Sequence, residues 1–306
     1  MRSLILLALV GLAAQLVDGG LGMAYGVTSS TLLLALGTHP AAASATVHLA
    51  EIGTTLASGI AHHKFGNVDW HVVRRIAIPG GIGAFIGATV LSNLDAAVAK
   101  PLMSSVLLAL GLYVFLRFTF RGLPTLKLGT RHSGGFLSGL GLFAGFIDAT
   151  GGGGWGPVGT PALLAAGRLE PRKVIGSINT AEFVVTVSAS LGFLAGLGTS
   201  GIDLRFVAAL LIGGVVAAPI AAWLVRHVPP RVLGSTVGGL IILTNVRTLL
   251  GADLIPAALT PPAGPTYAVI VVAWVSAIVY SVRQHRADQR VTDTSHATHT
   301  VDASQA

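Results

Sequence analysis

The chain has 306 residues, of which 52% are hydrophobic and only 10% charged, and its mean hydropathy is +0.76. Soluble domains carry roughly 25% charged residues, so the composition excludes a soluble domain and indicates an all-α, polytopic membrane protein. The net charge of +7 does not indicate a nucleic-acid partner, because the bases lie between apolar segments rather than on one patch. The absence of cysteine excludes disulfides and thiolate metal sites.

The first apolar piece, about 3–16, imitates a secretory signal, with Arg2, an apolar run and then Ala13-Ala14-Gln15. An equally short piece from Ser133 to Phe146 holds the same place before Asp148, so the N-terminal segment is expected to be retained. A break at Asp18-Gly19-Gly20-Leu21-Gly22 leads to a second short piece at 22–37. Segments of bilayer length follow at 41–62, 71–92 and 97–118. The pattern then restarts. Short pieces at 133–147 and 155–167 flank Asp148-Ala149-Thr150-Gly151-Gly152-Gly153-Gly154-Trp155-Gly156-Pro157, and long segments follow at 172–197, 203–226 and 232–250. A last span, 266–282, has no counterpart. The polar tail from 284 to 306 is expected to be disordered.

Charge placement decides how the short pieces sit. Lys64, Arg74 and Arg75 share one connection, Arg117, Arg121, Lys127 and Arg131 border a second, and Arg168, Arg172 and Lys173 a third. If 133–167 crossed the membrane once, the bases at 117–131 would face outside, against the positive-inside rule. If 133–167 enters and leaves on one side, every basic connection is cytoplasmic. Each repeat is then a re-entrant helical hairpin plus three transmembrane helices. An odd number of crossings inverts the second copy relative to the first. The expected organisation is a first membrane repeat at 1–121, a cytoplasmic linker at 122–132, a second repeat at 133–251 and an extra span within 252–283. The expected location is the cytoplasmic (inner) membrane, with a cytoplasmic C-terminus.

The hairpin tips are the first candidate site. Helix N-termini offer unpaired N–H groups and a positive dipole end, and glycine lets a ligand approach the backbone. Gly19, Gly20 and Gly22 in one tip and Gly151, Gly152, Gly153 and Gly154 in the other are candidates for binding an anion. Their plainer role is tight packing of the hairpins. Thr46, His48 and Glu51 recur as Ser177, Asn179 and Glu182. The hydroxyl and second polar group of each set are candidate substrate ligands. Acids at membrane depth are costly and so are functional candidates: Glu51 and Glu182 either carry protons or hold the hairpins in place. Asp18 and Asp148 are helix caps or proton relays, and Asp69 and Asp203 read as N-caps. His62, His63 and the tail histidines come without a structured ligand set, so no metal or cofactor is expected.

With these motifs in place the sequence resembles the TauE/SafE sulfite exporter family of membrane permeases. The duplicated Gly-rich motif, Pro161 with Leu163-Leu164, and Ile178-Asn179-Thr180-Ala181-Glu182 carry the resemblance, which covers most of residues 5–250. It implies a permease for small sulfur-containing anions such as sulfite, thiosulfate and sulfonates, working against membrane lipid and not as an enzyme. The sequence has Gly20-Leu21-Gly22-Met23 where the second copy has a fuller glycine run, and His48 where the second copy has Asn179. The sequence contains no ATP-binding motif, so an ion gradient is the expected driving force, with export the expected direction. An anion channel of the same architecture is the alternative. An intramembrane enzyme has only His48 near Thr46 in its favour.

Overall fold

The computed structural model describes residues 2–21, 23–120, 132–166, 168–198, 202–224, 229–252 and 261–304. Among these are eleven α-helices and no strand. The first five are α1 (Arg2–Leu21), α2 (Tyr25–Ala35), α3 (Pro40–Lys64), α4 (Trp70–Ser92) and α5 (Ala96–Phe120). Then come α6 (Gly134–Gly151), α7 (Trp155–Ala165), α8 (Pro171–Leu197), α9 (Leu204–Leu224), α10 (Pro230–Leu250) and α11 (Ala263–Ser304). Helices 6 to 10 repeat the length pattern of helices 1 to 5. Within it, α2 and α7 have 11 residues each, about 16 Å at 1.5 Å per residue. Neither reaches across the ~30 Å hydrocarbon core of a bilayer.

Local chemistry sets these boundaries. Both α3 and α8 begin on a proline, Pro40 and Pro171, where the missing N–H has no helical partner to lose. Asp69 caps α4 by accepting from the N–H groups of His71 at 2.9 Å and Val72 at 3.3 Å. Asp203 accepts from Arg205 N–H at 2.9 Å. Among the described residues, five helices are long and apolar enough to cross a membrane: those in α4, α5, α8, α10 and the first part of α11. The expected spans at 41–62 and 203–226 are not among them. α3 carries His48, Glu51, Thr54, Thr55 and Ser58 on one helix, which lowers its hydropathy. In α9 the apolar stretch found is Leu204–Ala217. Beyond 283, where disorder was expected, α11 carries helical backbone to Ser304. Of the expected linker 122–132, only His132 falls within the described residues.

The two halves are interlocked rather than side by side. α1 lies on α9 and α6 on α4, so the first arm of each hairpin packs against the other half. Both contacts are built on glycine. A Cβ at Gly11 would lie 2.2 Å from the Leu210 carbonyl oxygen, and one at Gly141 would lie 2.4 Å from that of Ile76. Lipid offers helices no hydrophobic drive to associate, so this close backbone approach is what holds them. One buried apolar cluster joins α4, α6 and α8 through Ile76, Leu137, Val185 and Phe193. The other joins α1, α2, α5, α9 and α10 through Leu33, Met103, Leu107, Leu210 and Ile241. α3 and α8 run antiparallel, since His48 meets Phe193, Gly59 meets Thr180 and Asn67 meets Gly176. Asp69 N–H donates to Ser177 Oγ at 2.8 Å and closes the end of that pair.

Candidate functional site

The two hairpins turn in the same way. Asp18 Oδ1 accepts from Ala24 N–H at 2.8 Å and Tyr25 N–H at 3.2 Å. Asp148 Oδ1 accepts from Gly154 N–H at 2.7 Å and Trp155 N–H at 3.0 Å. Each aspartate thus reaches over its turn and caps the short helix that follows, α2 or α7. The capping role expected of Asp18 and Asp148 is therefore present at both tips. The next N–H groups, those of Gly26, Val27 and Gly156, lie in first turns and have no acceptor within their helices.

The tips meet backbone to backbone. A Cβ on Gly26 would fall 2.7 Å from Gly153 Cα, and one on Gly156 would fall 3.0 Å from Met23 Cα. The second tip turns through Gly152 at φ +69° and Gly153 at φ +149°, conformations that residues with a Cβ rarely adopt. The hydroxyl of Ser30 on α2 donates to the Gly152 carbonyl across this junction. Tyr25 donates to the Leu210 carbonyl at 3.4 Å, and Trp155 Nε1 to that of Ile178 at 3.0 Å. These bonds seat the start of each short helix on a long one.

Beside the junction is a cavity of about 90 Å³. A single water needs roughly 10–15 Å³, so a small oxyanion with a few waters fits. Gly26, Val27, Gly153, Gly154 and Gly156 supply its backbone wall, and Asp18, Glu51, Asp148 and Glu182 all face it. Neither Lys nor Arg is among the described residues that line it. Glu51 is 4% exposed, and its Oε1 lies 3.1 Å from where a Cβ on Gly26 would be.

The expected site residues divide sharply. Asn179, Gly153 and Gly154 line the cavity with the four acids. Thr46 does not: its hydroxyl donates to the Ala42 carbonyl at 2.6 Å. Ser177 is buried and holds Asp69, as described above. His48 stands behind the cavity, with Nδ1 2.8 Å from the Ser44 carbonyl and Nε2 3.1 Å from Asp148 Oδ2. Gly151 packs on Val106, and Gly152 forms the left-handed end of α6. Gly19 and Gly20 carry helical backbone in α1, and Gly22 lies outside the described residues.

The known proteins bear on this architecture directly. The family described as sulfite exporter TauE/SafE matches residues 7–248, which takes in both hairpin turns and, apart from the outer ends of α1 and α10, all ten helices of the repeated pattern. The chain belongs to the TauE/SafE family. A curated relative from Bacillus subtilis (strain 168), named "Probable membrane transporter protein YtnM", is 51% identical over 285 residues, covering 92% of this chain and 93% of the relative. No solved structure matches the chain. As a TauE/SafE protein the chain is a multi-pass membrane transporter and not an enzyme.

In this TauE/SafE transporter, sequence reasoning missed most of one cavity wall. Thr54, Thr55 and Ser58 continue from Glu51 along α3, and Gln15, Met23, Tyr25 and Trp155 complete the ring. The signal was present. Glu51, Thr55, Ser58 and His62 are spaced by four, three and four residues, which places them on one helical stripe. Thr46 is five residues from Glu51, about 140° away round the helix at about 100° per residue.

Proposed function

We propose that the chain is a proton-coupled exporter of a small sulfur-containing anion in the cytoplasmic membrane, built from two inverted repeats at 1–121 and 133–251. The observation that carries this reading is the small cavity where two capped helix ends and four carboxylates converge. The first-turn N–H groups at Gly26, Val27 and Gly156 bind the anion, as helix N-termini do. Asp18 and Asp148 hold those helix ends in place. Glu51 and Glu182 face the same space with no lysine or arginine among the described residues that line it. An anion beside charged carboxylates in a cavity of low dielectric is repelled strongly, so the anion and protons share the cavity in a fixed relation. The antiparallel run of α3 and α8 supports the inversion. The basic connections at Lys64 to Arg75 and Arg168 to Lys173 support a cytoplasmic assignment for that face. Rocking of one repeat against the other then exposes the cavity to either side in turn.

The test is flux of labelled sulfite, thiosulfate and sulfoacetate in proteoliposomes, with and without a pH gradient, for the native chain and Glu182→Gln. Saturable flux of at least one anion, accelerated by the gradient and lost in Glu182→Gln, is the expected result. Flux that neither saturates nor responds to the gradient would make the protein a channel. Gradient-driven flux unchanged in Glu182→Gln would remove that glutamate from coupling.

A further inference from the structure

The antiparallel α3–α8 pair has two halves related by the repeat, and they are chemically unlike. On the half nearest Lys64 and Arg172, Asn179 Nδ2 lies 3.4 Å from Ser58 Oγ and 3.4 Å from His62 Nε2. On the other half the matching positions are His48 for Asn179, Ala189 for Ser58 and Phe193 for His62. The correspondence follows from the starts of the two helices, Pro40 and Pro171, and from the glutamates Glu51 and Glu182. The contacts correspond as well. His48 faces Phe193 at a ring separation of 5.9 Å, where Asn179 faces His62.

The polar half has unused donor capacity. An amide nitrogen only donates, so His62 Nε2 accepts from Asn179 and Nδ1 carries the ring proton. That Nδ1 is buried and has no hydrogen-bond partner. The cavity reaches toward it along Glu51, Thr55, Ser58 and Asn179. At the three matching positions the opposite half has no such capacity. Ala189 and Phe193 are fully buried, and both ring nitrogens of His48 are occupied by Ser44 and Asp148.

We propose that Ser58, His62 and Asn179 form a loading site for a small oxyanion on the basic face of the protein, and that Phe193 closes the opposite route. The site deepens the transport reading above and rests on it. An anion arriving from the basic face meets the His62 N–H, the Ser58 hydroxyl and the Asn179 amide before it reaches the hairpin tips. From the opposite face it meets an aromatic plug. The asymmetry is written into side-chain identity: polar ligands meet an anion on the basic face, whereas release to the opposite face requires Phe193 to move aside as the repeats rock.

Two measurements test this. In the first, Ser58→Cys and Ala189→Cys are made separately in the cysteine-free chain and treated with a membrane-impermeant maleimide from each side. Ser58→Cys is expected to react from the basic face and Ala189→Cys from neither face. Equal reaction of the two, or none at Ser58→Cys, overturns the proposal. In the second, half-saturation for labelled sulfite or sulfoacetate is measured from each side of oriented proteoliposomes. His62→Phe, which copies the plug residue, is expected to raise half-saturation about tenfold from the basic face alone. The gentler Ser58→Ala is expected to raise it about threefold from that face. An equal change on both faces, or no change, sinks the loading site. The labelling arm needs no flux. The expected labelling with no anion carried would fault the transport reading, whereas gradient-driven flux with equal labelling would fault this one.

Discussion

The two hairpins place the same carboxylate over the same turn, yet they are anchored differently. At the second tip Asp148 uses both oxygens, one on the N–H groups of Gly154 and Trp155 and the other on His48 Nε2. Ser44 on α3 donates to the Ala149 carbonyl at 2.8 Å, and Ser30 on α2 donates to Gly152. At the first tip, among the described residues, Asp18 makes only the two capping bonds. The residue matching His48 is Asn179, which bonds Ser58 and His62 instead. A duplicated motif has kept its turn and diverged in its bracing. The second hairpin is tied into α2 and α3 of the other half, and the first has freed its matching amide for the cavity.

That difference can be broken at its strongest point. Gly153 matches Met23 in the first tip, and its φ of +149° together with its contact on Val27 leaves no room for a side chain. Gly153→Met is expected to cost roughly 2–6 kcal/mol, combining backbone strain with overpacking, and to abolish recovery of monodisperse protein. The converse change, Met23→Gly, is expected to leave recovery intact. Equal recovery of both variants would mean that the tips are not distinguished in this way.

A middle-sized effect separates the aspartates. Asp148→Ala removes a cap and strips a buried histidine of its partner, a loss of about 3–5 kcal/mol. Asp18→Ala removes a cap alone, about 0.5–2 kcal/mol. Thermal unfolding in detergent should therefore rank Asp148→Ala well below Asp18→Ala, and the reverse order would undo the bracing argument. The smallest effect tests His48 itself. His48→Asn makes the first copy like the second and is expected to lose about 1–3 kcal/mol of stability while flux per folded molecule holds. Abolished flux at unchanged stability would make His48 part of coupling rather than a brace.

Much of this was legible in the chain. Asp18 and Asp148 announced the turns, the pieces at 22–37 and 155–167 announced helices that cannot span, and Glu51 and Glu182 announced the cavity. The pieces at 3–16 and 133–147 lengthen instead into α1 and α6, of 20 and 18 residues. The Thr46 and Ser177 hydroxyls misled because recurrence between copies was taken for a shared role. A spacing of five turns Thr46 away from Glu51 and Ser177 away from Glu182, and both hydroxyls are held by neighbouring backbone groups. Ser58 and His62 escaped because their matches, Ala189 and Phe193, are apolar, so a search for what repeats passed over them. The bracing of Asp148 by His48 joins residues 100 apart in sequence, a contact that no local pattern encodes.

The central claim is that the two hairpin tips meet around one cavity, and a cross-link tests it most directly. A Cβ on Gly156 would lie 3.0 Å from Met23 Cβ, close to the ~3.5–4.5 Å that a disulfide spans. Met23→Cys combined with Gly156→Cys, in a chain with no other cysteine, should form a disulfide under mild oxidation. Peptide mass spectrometry reads the bond, and anion flux should stop on oxidation and return on reduction. Folded protein in which the two cysteines stay reduced and separately alkylatable would contradict the account.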